Sequence, residues 1–185
     1  MTDEPAGRLA DDAPVQNHES MDARLVGLAE RGCRTDGLVR DQPAVLRVVV
    51  DGLLQTDTAA FVADHPAAAD QLLELLWEGL RIAATEEDLD GLSERLTVSF
   101  VAEDCSLAGH LDIDGEAGTI AGDTDRAADS DVTIAGPADV LIGLLAGDVD
   151  PRRGFMRGRF TIDGSTETAM ALVPVLDDLS EQLPL

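Results

Sequence analysis

The chain has 185 residues and carries 13 cationic against 37 acidic side chains, a formal net charge of −24. Hydrophobic residues make up 44%, which is enough for one core and too many for a wholly disordered chain. No apolar run approaches the roughly 18–20 residues of a membrane span, and the acidic start MTDEPAGRLADD lacks the basic-then-apolar layout of a secretory signal, so a soluble cytoplasmic protein is expected.

Residues 1–19 mix Asp, Glu, Pro, Gly and Asn with few apolar side chains and read as a disordered acidic tail. Ser20 suits the N-cap of a helix bearing Leu25, Leu28 and Ala29, with Gly32 as its stop. Asp41 with Pro43 opens a second, carrying Val45, Leu46, Val49, Val50 and Leu53 on one side; its Val48-Val49-Val50 run also suits a strand. A short helical turn is expected around Asp57–Phe61. The clearest helix spans Pro66 to Ala84, where Ala69, Leu72, Leu73, Leu76, Leu80 and Ala83 recur at three- and four-residue steps beside Trp77. After a capping-box-like Thr85-Glu86-Glu87-Asp88 the period changes to two. Leu96, Val98, Phe100 and Ala102 form one greasy strand face; Leu107, Gly109, Leu111 and Ile113 form another, with polar residues between. Asp114-Gly115 signals a two-residue hairpin returning through Thr119-Ile120. A polar loop over 122–130 leads to a strand at Asp131–Ile134. Gly136-Pro137 starts a helix with Val140, Leu141, Leu144 and Leu145 on one face, stopped at Gly147. A loop then reaches the alternating strand Arg159–Asp163, and Ser165 caps a last helix that Pro174 should kink or split.

No catalytic constellation stands out. His18, His65 and His110 are scattered, and Cys33 and Cys105 form no CxxC, so neither a metal site, a triad nor a disulfide framework is supported. No phosphate-binding glycine loop or nucleophile elbow is present. An enzyme is therefore not expected, nor a cofactor. The charge excludes ordinary nucleic-acid binding, which needs basic faces. Every cation is arginine, lysine and tyrosine are absent, and Asp outnumbers Glu by about two to one. Such an acidic shell repels itself in dilute buffer but is screened in molar salt, where the Debye length is about 3 Å. A high-salt cytoplasm, as in halophilic archaea, is the expectation. One exception to the acidic surface is local. Arg152, Arg153, Arg157 and Arg159 flank Gly154, Phe155 and Met156, a basic spot beside an aromatic ring and a thioether that suits an anionic head group next to an apolar tail. Neutralisation of Asp148, Asp150 and Asp163 is the plainer reading.

The segment Asp131-Val-Thr-Ile, then Ala138-Asp-Val-Leu-Ile-Gly-Leu-Leu-Ala-Gly147, Asp150-Pro151 and Gly154-Phe-Met-Arg-Gly-Arg-Phe160-Thr-Ile-Asp-Gly164 resembles the sterol carrier protein type 2 family. That family carries an Asp-Val-Thr strand, a helix closing at Gly, an Asp-Pro turn, then Ala-Phe-Met-x-Gly-Lys and an alternating strand. Gly154 stands where the family usually has Ala, which would widen the pocket entrance, and Arg159 stands for its Lys. The resemblance is specific over 129–164, extends in element order over 57–183 and does not cover 20–56. It implies an α+β fold, a curved, mostly antiparallel five-stranded sheet covered on one face by helices, here with extra N-terminal helices. With the composition of the tail and the helical pattern before residue 57, three segments are expected: the tail 1–19, a helical extension 20–56 and a sterol-carrier-like domain 57–185.

The resemblance further implies an elongated apolar cavity between sheet and helices, holding a lipid without catalysis. The residues expected to line it are Leu144, Leu145, Phe155, Met156, Phe160, Met170, Val173 and Leu176, with Arg152, Arg153 and Arg157 at the mouth. Burial of each methylene is worth about 0.8 kcal/mol, so a chain of about 16 carbons offers on the order of 12 kcal/mol gross. In a halophilic archaeon an isoprenoid-type lipid or quinone is a better cargo than sterol. The competing expectation is an accessory module with a closed core, whose helices at 20–56 mediate homodimerisation or docking to a partner enzyme. Neither reading involves nucleic acid or stable membrane insertion.

Overall fold

The computed structural model describes residues 20–35, 37–84, 89 and 95–182. The Ser20 hydroxyl accepts from the Ala23 amide at 3.2 Å and caps α1 (Met21–Arg34), which continues past Gly32. A single turn, α2 (Leu38–Asp41), precedes α3 (Val45–Gln55). The valine run lies inside α3, not in a strand. A period near 3.6 buries Val45, Leu46, Val49, Val50 and Leu53 together, and that burial outweighs the small helix penalty of β-branching. Asp57 accepts from the Ala60 amide and caps α4 (Thr58–Asp64). Pro66 opens α5 (Pro66–Ala83), where its missing N–H costs nothing. The tail 1–19 and the capping-box sequence 85–88 lie outside the described residues.

The first helices close on one another through small residues. A Cβ built on Gly52 of α3 would sit 2.7 Å from Leu25 Cδ2 of α1, and one on Gly32 would sit 3.1 Å from Leu75 Cδ2 of α5. The Thr56 hydroxyl donates to the Asp22 carboxylate at 2.9 Å, tying the end of α3 to the start of α1. Leu25 and Ala29 are fully buried, and α1 and α3 both contact α5. Their apolar stripes are therefore covered within the chain.

The sheet has the order β3-β2-β1-β4-β5, formed by β1 (Arg95–Ala102), β2 (Ala108–Asp114), β3 (Thr119–Asp123), β4 (Val132–Gly136) and β5 (Thr161–Gly164). Only the central β1–β4 pair is parallel; the other three pairs are antiparallel. The β2–β3 hairpin turns through residues 115–118 instead of two residues, because Asp114 pairs with Thr119. The Asp114 carboxylate accepts from the Ala117 amide at 3.0 Å, and Gly118 supplies the φ of 62° that closes the turn. The final strand starts at Thr161, later than the alternation suggested.

This strand order forces a crossing. The chain leaves β3 at one edge and must reach β4 on the far side of β1, so residues 124–131 cross the outer face of β2 and β1. The His110 Nδ1 lies 2.6 Å from the Asp125 carbonyl, so the ring donates there. The Ser99 hydroxyl accepts from the Ala127 amide at 3.2 Å and shares a 2.6 Å bond with Ser130. Ser99, a polar-face position by alternation, is fully buried beneath this strap, with its oxygen satisfied as burial requires.

On the inner face, Leu96, Val98, Phe100, Leu111 and Ile113 are buried under α5, α6 (Ala138–Leu145) and α8 (Thr166–Gln182). Trp77 lies against two glycines: a Cβ on Gly109 would be 2.9 Å from its Cζ2, and one on Gly122 2.5 Å from its Cγ. Its indole N–H donates to the Asp123 carbonyl at 3.0 Å. Over the sheet centre the layers thus interdigitate, leaving a space of only about 10 Å³ beside Leu73, Trp77, Phe100 and Leu145. A short helix, α7 (Pro151–Met156), replaces the expected loop. The last helix, α8, runs as one element through Pro174 without splitting.

Candidate functional site

Helix α6 is apolar except for the exposed Asp139 in its first turn, and its residues 138 and 140–145 are buried, as suits a helix sandwiched between layers. Asp104 receives the Ala138 amide at 3.0 Å at its start. Gly147, at φ 81°, ends the segment. The Val149 amide then returns to the Gly143 carbonyl at 2.9 Å. Asp150 next caps α7 by accepting from the Arg153 amide at 2.7 Å, with Pro151 at its first position. Gly158, at φ 65°, turns the chain into β5, and the Arg159 amide reaches back to the Gly154 carbonyl at 3.0 Å. Both Gly158 and Gly147 sit where a side chain would strain the backbone.

This path leaves a gap at the β4–β5 end of the sheet. A cavity of about 240 Å³ lies between the paired Ile134 and Ile162 below, Leu144 of α6 behind, and α7 and α8 above. That approaches the roughly 300–1,000 Å³ common for small-molecule sites. Phe155 and Phe160, with ring centroids 6.2 Å apart and tilted, form one wall. Met170, Val173 and Leu176 descend from α8 at three-residue steps, with Ala169 and Leu172 beside them. Among the described residues, Arg152 is the one charged side chain in the wall. Phe155 (49% exposed), Met170 (52%) and Met156 (85%) reach solvent, so the cavity opens at the surface.

Of the residues singled out from sequence, Leu144, Phe155, Met156, Phe160, Met170, Val173 and Leu176 meet at this cavity, as does Arg152. Leu145 does not. One residue along a helix turns the side chain by about 100°, and Leu145 packs into the filled centre with Trp77 and Phe100. Arg153 and Arg157 are exposed and lie outside the cavity wall. Sequence reasoning passed over Ile134, Ile162, Pro151, Ala169 and Leu172. Alternation had placed both isoleucines in strands; the register that pairs them was the missing signal. Gly154 does not widen the entrance. Its missing side chain is replaced by the Phe160 ring, whose Cε1 would be 2.6 Å from an added Cβ.

Asp148, Asp150 and Asp163 form no ion pair with the arginine cluster. Among the described side chains, no carboxylate lies within ion-pairing distance of Arg152, Arg153, Arg157 or Arg159; the pairs formed there are Arg34–Glu30, Arg47–Asp51 and Arg95–Asp114. No group of three or more metal-ligating side chains occurs among the described residues. His65 stacks obliquely on Phe61 and His110 holds the strap, on different elements; His18 lies outside the described residues. The Cys105 thiol is pushed up from its ordinary value, chiefly by burial, which makes it a poor nucleophile at neutral pH.

The family model described as the SCP-2 sterol transfer family matches residues 73–177, a span holding every cavity residue. Sterol carrier protein 2 from Yarrowia lipolytica, in its apo form, is 15% identical; the similarity covers 57% of this chain and 90% of that one, with a TM-score of 0.44. A possible sterol carrier protein from Thermus thermophilus is 16% identical over 58% of this chain and 82% of its own, at a TM-score of 0.42. A stereoselective inverting sec-alkylsulfatase from Pseudomonas sp. is 12% identical over 81% of this chain but only 30% of the sulfatase, at a TM-score of 0.45. No curated protein sequence matches the chain significantly.

Proposed function

The chain belongs to the SCP-2 sterol transfer family, and from that premise we propose that it binds, and hands on, one apolar chain-like lipid in the cavity beneath α7 and α8. The family suggests lipid binding or transfer; the cargo and the place are our reading. What supports the place is the cavity of about 240 Å³ with a single charged side chain among the described residues, Arg152, in its wall. Binding there needs no catalytic step. Each methylene removed from water contributes about 0.8 kcal/mol. A chain of about 16 carbons gives on the order of 12 kcal/mol gross, against roughly 4–15 kcal/mol for association. A cargo held by desolvation therefore needs most of its chain covered, inside the cavity and along the exposed Phe155, Met156 and Met170. Arg152 would receive a carboxylate or phosphate at the rim.

In this reading residues 57–185 form the carrier, 20–56 an extension bracing α5, and 1–19 an acidic tail. The absence of lysine and the charge of −24 support a cytoplasm rich in salt, of the halophilic archaeal kind, and with it an isoprenoid-type cargo. The alternative of a closed accessory module loses its main support, because α1 and α3 spend their apolar stripes inside the chain.

The test is displacement of a fluorescent fatty acid from the parent chain and from Ala169→Phe, which plugs the cavity from α8. Uptake by the parent and at least a tenfold loss in the variant are expected. Equal uptake by both chains, with far-UV circular dichroism unchanged, would refute the location. Ile162→Phe, which fills the same space from the strand side, gives a second reading should the first variant unfold.

A further inference from the structure

The five large apolar side chains most exposed among the described residues are Val48, Ile82, Phe155, Met156 and Met170, and the last three share one rim. Arg152 lies on that rim, and Arg153, Arg157 and Arg159 follow on α7 and the turn after it, so that four of the chain's 13 cations fall within eight residues, all exposed and with no ion pair among the described side chains. Elsewhere the chain is dominated by 37 acidic side chains. An apolar patch beside exposed arginines that pair with no described carboxylate marks an interaction surface, and its charge calls for an anionic partner. Helix geometry divides the labour. Arg152 and Met156 are four residues apart and face the cavity, whereas Arg153 and Arg157, also four apart, lie about 100° round the same short helix and outside the cavity wall.

We propose that this rim docks the protein, peripherally, on an anionic lipid bilayer, with Phe155, Met156 and Met170 entering the interface and Arg153, Arg157 and Arg159 holding lipid phosphates. The proposal rests on the carrier reading for its choice of partner. A hydrocarbon guest that leaves the cavity through water loses its desolvation one methylene at a time; a mouth seated on a bilayer spares it that crossing. An acidic protein would answer the charge but not this need. The chain's net −24 is repelled by an anionic surface in dilute buffer. In molar salt that repulsion is screened beyond about 3 Å, while guanidinium–phosphate contacts of about 2.7–2.9 Å fall inside the screening length. Docking selective for anionic lipid should therefore survive high salt, where long-range attraction by a basic tail would not.

The experiment is vesicle flotation of the full chain in 1 M KCl, using phosphatidylglycerol–phosphatidylcholine (1:1) and pure phosphatidylcholine vesicles. The parent is expected to float with the mixed vesicles and to prefer them at least fivefold over phosphatidylcholine. The triple variant R153Q/R157Q/R159Q should lose flotation at least tenfold while taking up the fluorescent fatty acid like the parent. Failure to float, equal flotation with both vesicles, or flotation of the triple variant like the parent would overturn the proposal. So would a parent dimer on light scattering that the variant dissolves without any vesicle binding. Uptake without flotation sinks docking and leaves the carrier reading standing; flotation without uptake does the reverse.

Discussion

Trp77 is seated on Gly122 so closely that adding one methyl there should be felt through the whole domain. A Cβ at Gly122 would lie 2.5 Å from Trp77 Cγ and 2.9 Å from its Cβ and Cδ1. These atoms form the root of the side chain, fixed by α5, and cannot swing aside as a flexible tip would. Either the indole tilts or α5 lifts from β3. Trp77 is buried and its N–H bond to the Asp123 carbonyl is 3.0 Å long, so tilting breaks that bond too. Overpacking costs about 1–3 kcal/mol, and a lost hydrogen bond adds about 0.5–1.5 kcal/mol. Gly122→Ala should therefore lose roughly 2–4 kcal/mol. At about 2–4 °C per kcal/mol for a chain of this size, Tm falls by about 5–15 °C. Urea unfolding followed by circular dichroism measures the loss, and emission of the only tryptophan reports the indole. A variant within about 0.5 kcal/mol of the parent, the range of an ordinary surface change, with unshifted emission, would refute the reasoning.

Gly154→Ala pushes on Phe160 Cε1, 2.6 Å from the new methyl; the ring borders the cavity and can yield into it, so stability should fall by only about 1 kcal/mol while fatty-acid uptake drops measurably, and unchanged uptake would contradict this. Partial desolvation first, and the Asp125 charge second, push the Asp70 carboxyl, on the exposed side of α5, above its ordinary range. Its contribution to stability is therefore complete below the unfolded pKa and lost as pH rises through the folded one. Asp70→Asn should stabilise the fold at pH 7 and lose that advantage below about pH 3.9, as urea unfolding across pH would show; destabilisation at pH 7 would reverse the sign. A melting series in KCl should show Tm rising from 0.1 to 2 M as the charge of −24 is screened; a flat or falling series removes the high-salt inference.

The alternating strands and the long helix over 66–84 were legible because each pattern has one physical solution. Leu96 to Ala102 can bury one face only as a strand, and Leu72 to Leu80 only as a helix. Val48–Val50 was ambiguous because propensity and periodicity disagree there, and tertiary burial decided. The strap over Ser99 was hidden because it follows from strand order, which no local pattern encodes. At the site, side chains fixed by the α7–β5 segment were legible as a group. Leu144 and Leu145 were not separable, since which of two neighbours meets the cavity depends on the rotation of α6 against the sheet. Ile134 and Ile162 were missed because their meeting depends on long-range register.

Native mass spectrometry of the chain as purified from cells, followed by solvent extraction, addresses the occupant itself. A population heavier than the bare chain by the mass of one long-chain lipid is expected, returning to the bare mass after extraction and absent from Ala169→Phe. A chain that is bare in every preparation, and stays bare after incubation with long-chain fatty acid and isoprenoid alcohol, would contradict it.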